Sequence, residues 1–269
     1  MSMHHVISKP KDHILIQISD THLMTDPNDG FIGINPEQNF HQVIAQIQQQ
    51  HSQIDTIIHT GDVAQEANPT TYQRYQAYMQ RLNIPFFQIP GNHDNLEYFP
   101  FAASALVPAV IDLDPWRLIL LNSAVPNQVD GWIQTEQLQL LEELLYSIQD
   151  KFVLLACHHH PFAMKSKWID QHKLKNTDQL TDVLAKFKNI KIVLFGHVHQ
   201  ESNTLWQETE FLSTPATCAQ FKPLSEDFAL DEAAPGYRYL HLKSDGQFET
   251  SIYRLEGYVP TINKEISGY

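Results

Sequence analysis

The chain has 269 residues, 42% of them hydrophobic, which suits one α/β domain with a full core better than two small ones. Acidic residues outnumber basic ones 31 to 18, a formal net charge of −13, so the basic face that polynucleotide binding draws on is missing and a nucleic-acid partner is disfavoured. Cys157 and Cys218 form no CxxC pair, residues 1–12 lack a signal peptide's apolar stretch, and no run approaches the ~20 apolar residues of a membrane span; a cytoplasmic protein without disulfides or membrane partner is expected, both thiols being core residues.

In chain order, the apolar run at residues 14–18 predicts a first strand, followed by Asp20-Thr-His22 and a polar loop through Asn28-Asp-Gly30. Asn35-Pro36 reads as N-cap and first residue of a helix whose apolar face is Phe40, Val43, Ile44 and Ile47, with the Gln-rich stretch 46–53 as a solvated face. The pattern repeats. A strand at 54–59 precedes Gly61-Asp62, Asn68-Pro69 caps a helix carrying Tyr72, Tyr75, Met79 and Leu82, and a strand at 86–89 precedes Gly91-Asn-His-Asp94, an alternation that predicts βαβ crossovers. Residues 109–113 and 116–121, joined by Asp114-Pro115, predict a hairpin that begins a second sheet. Thr135 is expected to cap a Leu-rich helix through Ile148; a strand at 152–156 leads to His158-His-His-Pro161, and a helix at 177–187 and a strand at 190–195 lead to Gly196-His-Val-His199. Strands at 210–214, 237–242 and 248–254 complete a single domain over residues 1–269, with its core at about 13–255 and a tail at 256–269.

Taken singly, each His- or Asp-bearing island has a plain explanation as a satisfied turn or a core histidine. Five of them at successive strand ends are another matter, because they would bring carboxylates, an amide oxygen and imidazoles together along one sheet edge, where open α/β sheets place their sites. That donor mixture suits Mn, Fe(II), Zn or Co more than Ca or thiolate-preferring metals. Bound cations would dominate the local potential, so the net negative charge does not exclude a small anionic substrate.

These islands resemble the calcineurin-like metallophosphoesterase superfamily, in which D-x-H, G-D, G-N-H-(D/E), a strand-end H and G-H-x-H hold two metals. The resemblance implies a four-layer α/β/β/α sandwich of two mixed sheets flanked by helices. It implies that Asp20, His22 and His199 hold one divalent ion, that Asn92, His158 and His197 hold the other, and that Asp62 bridges them. Fe(II), Mn(II) or a mixture is expected before Zn(II) or Co(II). It further implies attack by a metal-bridging hydroxide, with both ions steadying the attacking and leaving oxygens and His93 as general acid. Many superfamily members carry an acid three residues after the bridging Asp; here Gln65 stands there, which leaves the partner of His93 open among Gln65, Glu66 and Asp94. In the triple His158-His159-His160 the first is the expected ligand, and the other two contact substrate or simply pack.

Longer stretches narrow the substrate. Trp168-Ile-Asp-Gln-His172, Gly196-His-Val-His-Gln-Glu201, Ser213-Thr-Pro-Ala-Thr-Cys-Ala-Gln-Phe-Lys-Pro223, Ala234-Pro-Gly-Tyr237 and the terminal Ser267-Gly-Tyr269 are similar to bacterial class III cyclic nucleotide phosphodiesterases. This implies hydrolysis of 3′,5′-cyclic AMP to 5′-AMP, with Asn92, His93, His159 and Phe221 contacting substrate and Phe221 stacking on adenine, as aromatic faces do on bases. The loop at residues 28–34 is the other candidate for nucleotide specificity. Rival readings are a phosphodiesterase acting on 2′,3′-cyclic nucleotides or glycerophosphodiesters, and an inactive metal-binding regulator, which the complete ligand set argues against. A homodimer is left open.

Overall fold

In the computed structural model, which describes residues 11–99, 107–259, 266 and 268, the apolar runs of the sequence form the middles of two sheets. β1 (His13–Ile18), β2 (Thr56–His59) and β3 (Phe86–Gln88) run parallel, linked by α1 (Pro36–Gln50) and α2 (Pro69–Gln80). β4 (Ala109–Leu113) and β5 (Trp116–Leu120) form the expected hairpin. Through α3 (Thr135–Ser147) and α4 (Thr177–Leu184) their sheet continues in parallel with β6 (Phe152–Ala156) and β7 (Ile190–Phe195). β8 (Ser202–Trp206) and β9 (Thr209–Ser213) close the far edge, with β9 between β7 and β8. After a ribbon of β10 (Gln220–Phe221) and β11 (Leu230–Asp231), β12 (Gly236–Leu242) returns to pair antiparallel with β1, and β13 (Phe248–Arg254) flanks it.

Alternation along the strands sorts the core into three layers of side chains. Leu15, Ile58, Leu154 and Ile192 point between the sheets and pack with Leu118, Leu212 and Leu240. Their neighbours Ile16 and Ile57 face outward onto Phe40, Val43, Ile44, Ile47, Tyr72 and Met79 of α1 and α2. On the other side Leu155 and Val193 face Leu138, Leu141, Leu145, Leu180 and Leu184 of α3 and α4. The result is the expected four-layer sandwich, each buried aliphatic contributing about 1.5–3 kcal/mol over its exposed state. The sheets are also pinned by Arg238 of β12, buried at 4% exposure, whose guanidinium donates to Ser213 O of β9 at 2.9 Å and to Ser202 O of β8 at 3.2 Å.

The helix starts at Asn35 and Asn68 stand as expected: each side-chain oxygen accepts a backbone N–H three residues on, from Gln38 at 2.7 Å and from Thr71 at 3.0 Å, with proline at the first helical position. Thr135 is not a cap. It is the first residue of α3, and Gln134 precedes it without a side-chain cap bond, the start being tied down instead by Gln137, which exchanges hydrogen bonds with the backbone of Asn122. α4 stops at Leu184 because residues 186 and 187 donate to carbonyls only three positions back. β8 escaped notice because its Ser-Asn-Thr run lies on an exposed edge and shows no apolar alternation. Nor is the Gln-rich face of α1 merely solvated: Gln46 donates to Arg254 O and accepts from Glu256 N, both at 3.0 Å, fixing the beginning of the expected tail. No helix among the described residues is long and apolar enough to cross a membrane.

Candidate metal centre

Every residue expected to bind metal leaves the C-terminal end of a parallel strand: Asp20 and His22 after β1, Asp62 after β2, Asn92 after β3, His158 after β6, His197 and His199 after β7. The chain turns there through the left-handed region, at φ 53° for Asp20, 48° for His22, 55° for Asp62, 68° for His197 and 47° for His199. Such conformations cost about 1–3 kcal/mol each at non-glycine residues and persist only when the surroundings over-determine them. Here the loops hold one another, Asp20 N–H donating to Gly61 O, His22 N–H to Asp62 O and Gly196 N–H to His158 O, each at 3.0 Å. Two glycines permit the closeness. A Cβ on Gly91 would lie 2.1 Å from Asp62 Oδ1, and one on Gly61, at φ +100°, would lie 2.3 Å from His158 Nδ1.

The donor atoms form two adjoining sets. In the first, His199 Nε2 lies 3.3 Å from Asp20 Oδ1 and 3.2 Å from His22 Nε2, which is 3.7 Å from Asp62 Oδ2. In the second, His158 Nε2 lies 3.2 Å from Asn92 Oδ1 and 3.3 Å from Asp62 Oδ2, with the His197 ring centred 5.1 Å from that of His158. Ligand atoms about 2.0–2.2 Å from one ion stand roughly 3–3.6 Å apart, so these spacings fit metal coordination. Asp62 Oδ2 belongs to both sets. It is buried and, despite its closeness to His158, lacks the alignment of a hydrogen bond; both ring nitrogens of His197 are likewise buried without a hydrogen-bond partner. Orphaned acceptors of this kind are costly unless a cation completes them.

Electrostatics points the same way. Burial works against a charge on His158 and His199, but the carboxylates of Asp62 and Asp20 outweigh it and raise the two rings to about 9 and about 10 respectively. Burial would push Asp62 up, yet the imidazoles of His158 and His93 hold it well below the usual carboxylate range. Protons thus stand where cations are wanted. His197 is kept neutral by burial, which leaves one of its two ring nitrogens with a lone pair to offer.

A family model described as calcineurin-like phosphoesterase matches residues 14–201, from β1 through the last of these ligands. The chain belongs to the calcineurin-like phosphoesterase family. Among its relatives is the 3′,5′-cyclic adenosine monophosphate phosphodiesterase CpdA of Haemophilus influenzae, 37% identical over 262 residues, covering 95% of this chain and 94% of that one. CpdA of Escherichia coli is 37% identical over 248 residues, covering 90% and 89%. The fold recurs in a purple acid phosphatase from yellow lupin, with TM-score 0.69 at 16% identity over 93% of this chain and 52% of that one. It recurs again in a dimetal phosphatase from Danio rerio, with TM-score 0.59 at 14% identity over 91% and 99%.

Around the calcineurin-like ligand set, several side chains do work that sequence reasoning assigned differently. Gln65 turns to His22 and away from His93: its Oε1 accepts from His22 Nδ1 at 2.8 Å, which leaves His22 Nε2 with its lone pair toward the donor sets. Asp94 accepts backbone N–H groups from Val63, Ala64 and Gly91 and the hydroxyl of Tyr72, locking two ligand loops together; burial, with Asp62 nearby, raises its carboxyl to about 7. Glu66 accepts from Thr25 N–H. His93 is half-buried, donates its backbone N–H to Asp62 Oδ1 at 2.9 Å, and brings its ring edge-on to His22 with centroids 4.9 Å apart. Its ring nitrogen comes within 4.8 Å of ligand atoms of both His22 and Asp62.

Two expected substrate contacts are engaged inside the protein. His159 is fully buried, with Nδ1 2.8 Å from Ser123 Oγ and Nε2 3.1 Å from Val129 O, so both ring nitrogens are occupied within the protein. Phe221 is also fully buried and lies face to face on His199, with centroids 3.8 Å apart and planes 10° from parallel, while Trp168 and Phe228 meet it edge-on. One face of its ring is therefore taken up by the His199 imidazole. The same segment supplies Ala219 O, which accepts from His199 Nδ1 at 2.7 Å, and the buried Cys218, whose Sγ lies 3.9 Å from the same nitrogen. Phe31, from the 28–34 loop, stacks on His22 at 5.3 Å. His160 is buried against His197 and 3.4 Å from Asp170, outside the two donor sets.

Proposed function

We propose that the protein hydrolyses 3′,5′-cyclic AMP to 5′-AMP at a centre of two divalent ions held by Asp20, His22, Asp62, Asn92, His158, His197 and His199. The observation that carries the centre is Asp62 Oδ2, a buried carboxylate oxygen without a hydrogen bond that adjoins both donor sets. The substrate rests on near full-length similarity to enzymes named for cyclic AMP hydrolysis. Fe(II), Mn(II) or a mixture suits the nitrogen and oxygen donors, with Zn(II) or Co(II) as substitutes.

When bound, the two ions supply a water activated for attack and positive charge for the phosphoryl oxygens. The chain's own residues do the rest. Asp62 Oδ1 accepts the backbone N–H of His93, which sets that histidine beside the centre. As the water oxygen bonds to phosphorus and the bond from phosphorus to O3′ breaks, His93, as general acid, gives a proton to O3′, and the proton lost by the water leaves to solvent. Asn92 Oδ1 is turned toward His158, so the pair Asn92-His93 divides its labour between ligand and acid. Both thiols are free and buried, in keeping with work in the reducing cytoplasm.

The test is turnover by metal-stripped protein reloaded with Mn(II), or with Fe(II) under exclusion of oxygen. Cyclic AMP, cyclic GMP, 2′,3′-cyclic AMP and a glycerophosphodiester are compared by kcat/KM, and cyclic AMP is expected to lead. Equal values across the series would overturn the substrate assignment. Asp62→Ala should lose metal and activity together; a variant that keeps both ions and normal turnover would overturn the centre.

A further inference from the structure

A cleft of about 470 Å³ opens beside the centre, where the loop bearing Asn92 and His93 faces residues 124–127. That volume falls within the roughly 300–1,000 Å³ of small-molecule sites. Past His93 its lining is mixed: Leu96, Ala124, Val125 and Pro126 form an apolar strip beside the polar Asn95 and Glu97, and the cleft ends in the amide of Asn127, exposed at the rim with φ 60°. Among the described residues the lining includes the exposed carboxylate of Glu97 and no lysine or arginine, while the Asp94 carboxyl is turned away onto the backbone N–H groups of Val63, Ala64 and Gly91. A phosphate group placed there would meet negative charge without a cation to pair with, whereas a neutral planar base would meet apolar surface and an amide of the kind that reads adenine edges.

The far wall is fixed to the ligands. Ser123 Oγ accepts the backbone N–H groups of His158 at 3.2 Å and His159 at 3.1 Å, and Ser123 O accepts from Trp132 N–H at 2.9 Å. The His159 ring spans from Ser123 Oγ to Val129 O, so the loop carrying Val125 and Asn127 is clamped at both ends to the strand end that presents His158. A cleft preorganised in this way loses little freedom on taking up a ligand.

Resting on the proposed phosphodiesterase activity, we infer that the cleft lined by Leu96, Val125 and Asn127 is the nucleoside subsite, and that it restricts the enzyme to ligands with a single phosphate. The base lies in the cleft while the one phosphate stays at the centre. Linear dinucleotides and nucleoside polyphosphates would have to bury an additional, unpaired phosphate and are turned away.

Binding, not turnover, tests this, so a failure of the proposed reaction is read separately. Metal-loaded protein is titrated calorimetrically with inorganic phosphate, 5′-AMP and the dinucleotide pApA. For the wild type, 5′-AMP is expected to bind at least tenfold tighter than phosphate, and pApA no tighter than 5′-AMP. The double variant Leu96→Ala, Val125→Ala should lose at least tenfold in 5′-AMP affinity with phosphate affinity unchanged; 5′-AMP affinity equal to wild type would overturn the subsite. Val125→Arg, at a half-buried loop position, supplies the missing cation and should tighten pApA at least tenfold relative to 5′-AMP. No gain would overturn the single-phosphate restriction, as would tighter binding of pApA by the wild type.

Discussion

Replacing Phe221 with alanine distinguishes a ring that carries a metal ligand from a ring that carries a base. Phe221 is fully buried, pressed against His199 at 3.8 Å and flanked by Trp168 at 5.1 Å and Phe228 at 5.4 Å. Burying an aromatic side chain removes roughly 150–250 Å² from water, an upper bound of about 4–6 kcal/mol, and core Phe→Ala changes cost about 3–5 kcal/mol. At roughly 2–4 °C per kcal/mol for a chain of this size, Tm should fall by about 6–20 °C. The His199 imidazole would lose the plate that fixes its plane while keeping Ala219 O, so metal affinity should drop by about 10–100-fold. The assay is thermal unfolding with and without chelator, metal competition, and kinetics on cyclic AMP and on bis-nitrophenyl phosphate. Loss of stability and of metal, with the two substrates affected alike, is the expected result. A variant that melts within a couple of degrees of wild type and raises KM for cyclic AMP alone would refute the reasoning and return Phe221 to the base.

Three further outcomes are expected. His93→Ala should retain metal and lose roughly 10²–10⁴ in kcat on cyclic AMP, but less on bis-nitrophenyl phosphate, whose leaving group needs little protonation; equal losses would contradict the acid role. Gln65→Leu removes the acceptor that orients His22 and should weaken metal binding by about 10–100-fold, while Gln65→Glu, which keeps an acceptor, restores it; unchanged affinity in the leucine variant would show that His22 needs no such hold. Finally, His158 and His199, raised from 6.5 to about 9 and about 10, carry protons at neutral pH before metal arrives. An incoming ion must displace them, so affinity falls as pH falls, and at pH 7.5 calorimetric heats should scale with the ionisation enthalpy of the buffer; buffer-independent heats would rule this out.

How far the sequence could be read followed from how local each signal was. Asn35-Pro36 and Asn68-Pro69 are complete helix starts within two residues, and the side chains bond as their chemistry requires. Thr135 offered the right residue type, but the start of α3 depends on Gln137 reaching Asn122, a contact across a loop that spacing does not reveal. The seven candidate ligands stood out because each follows an apolar run; β1, β2 and β3 of one sheet and β6 and β7 of the other bring them together at the same end of the sandwich, across two sheets where a single sheet edge was expected. The supporting residues were harder. Gln65 stands out in the sequence as a departure that leaves the partner of His93 open among Gln65, Glu66 and Asp94, and only the fold turns its amide to His22. Phe221 was expected on a base because aromatic faces stack, and the sequence contains nothing to say that the face already has His199.

One feature of the architecture reaches beyond catalysis. Neither sheet owns a complete donor set: Asp20 and His22 come from the first and His199 from the second, while Asn92 comes from the first and His158 and His197 from the second. Under the proposed centre each ion is therefore a cross-link between the halves of the sandwich, in a chain whose two thiols are buried and unpaired. A site filled at 100 times its dissociation constant adds about 2.7 kcal/mol to folding stability. Under that centre, ion supply would set how firmly the two sheets stay joined as well as how fast the site turns over.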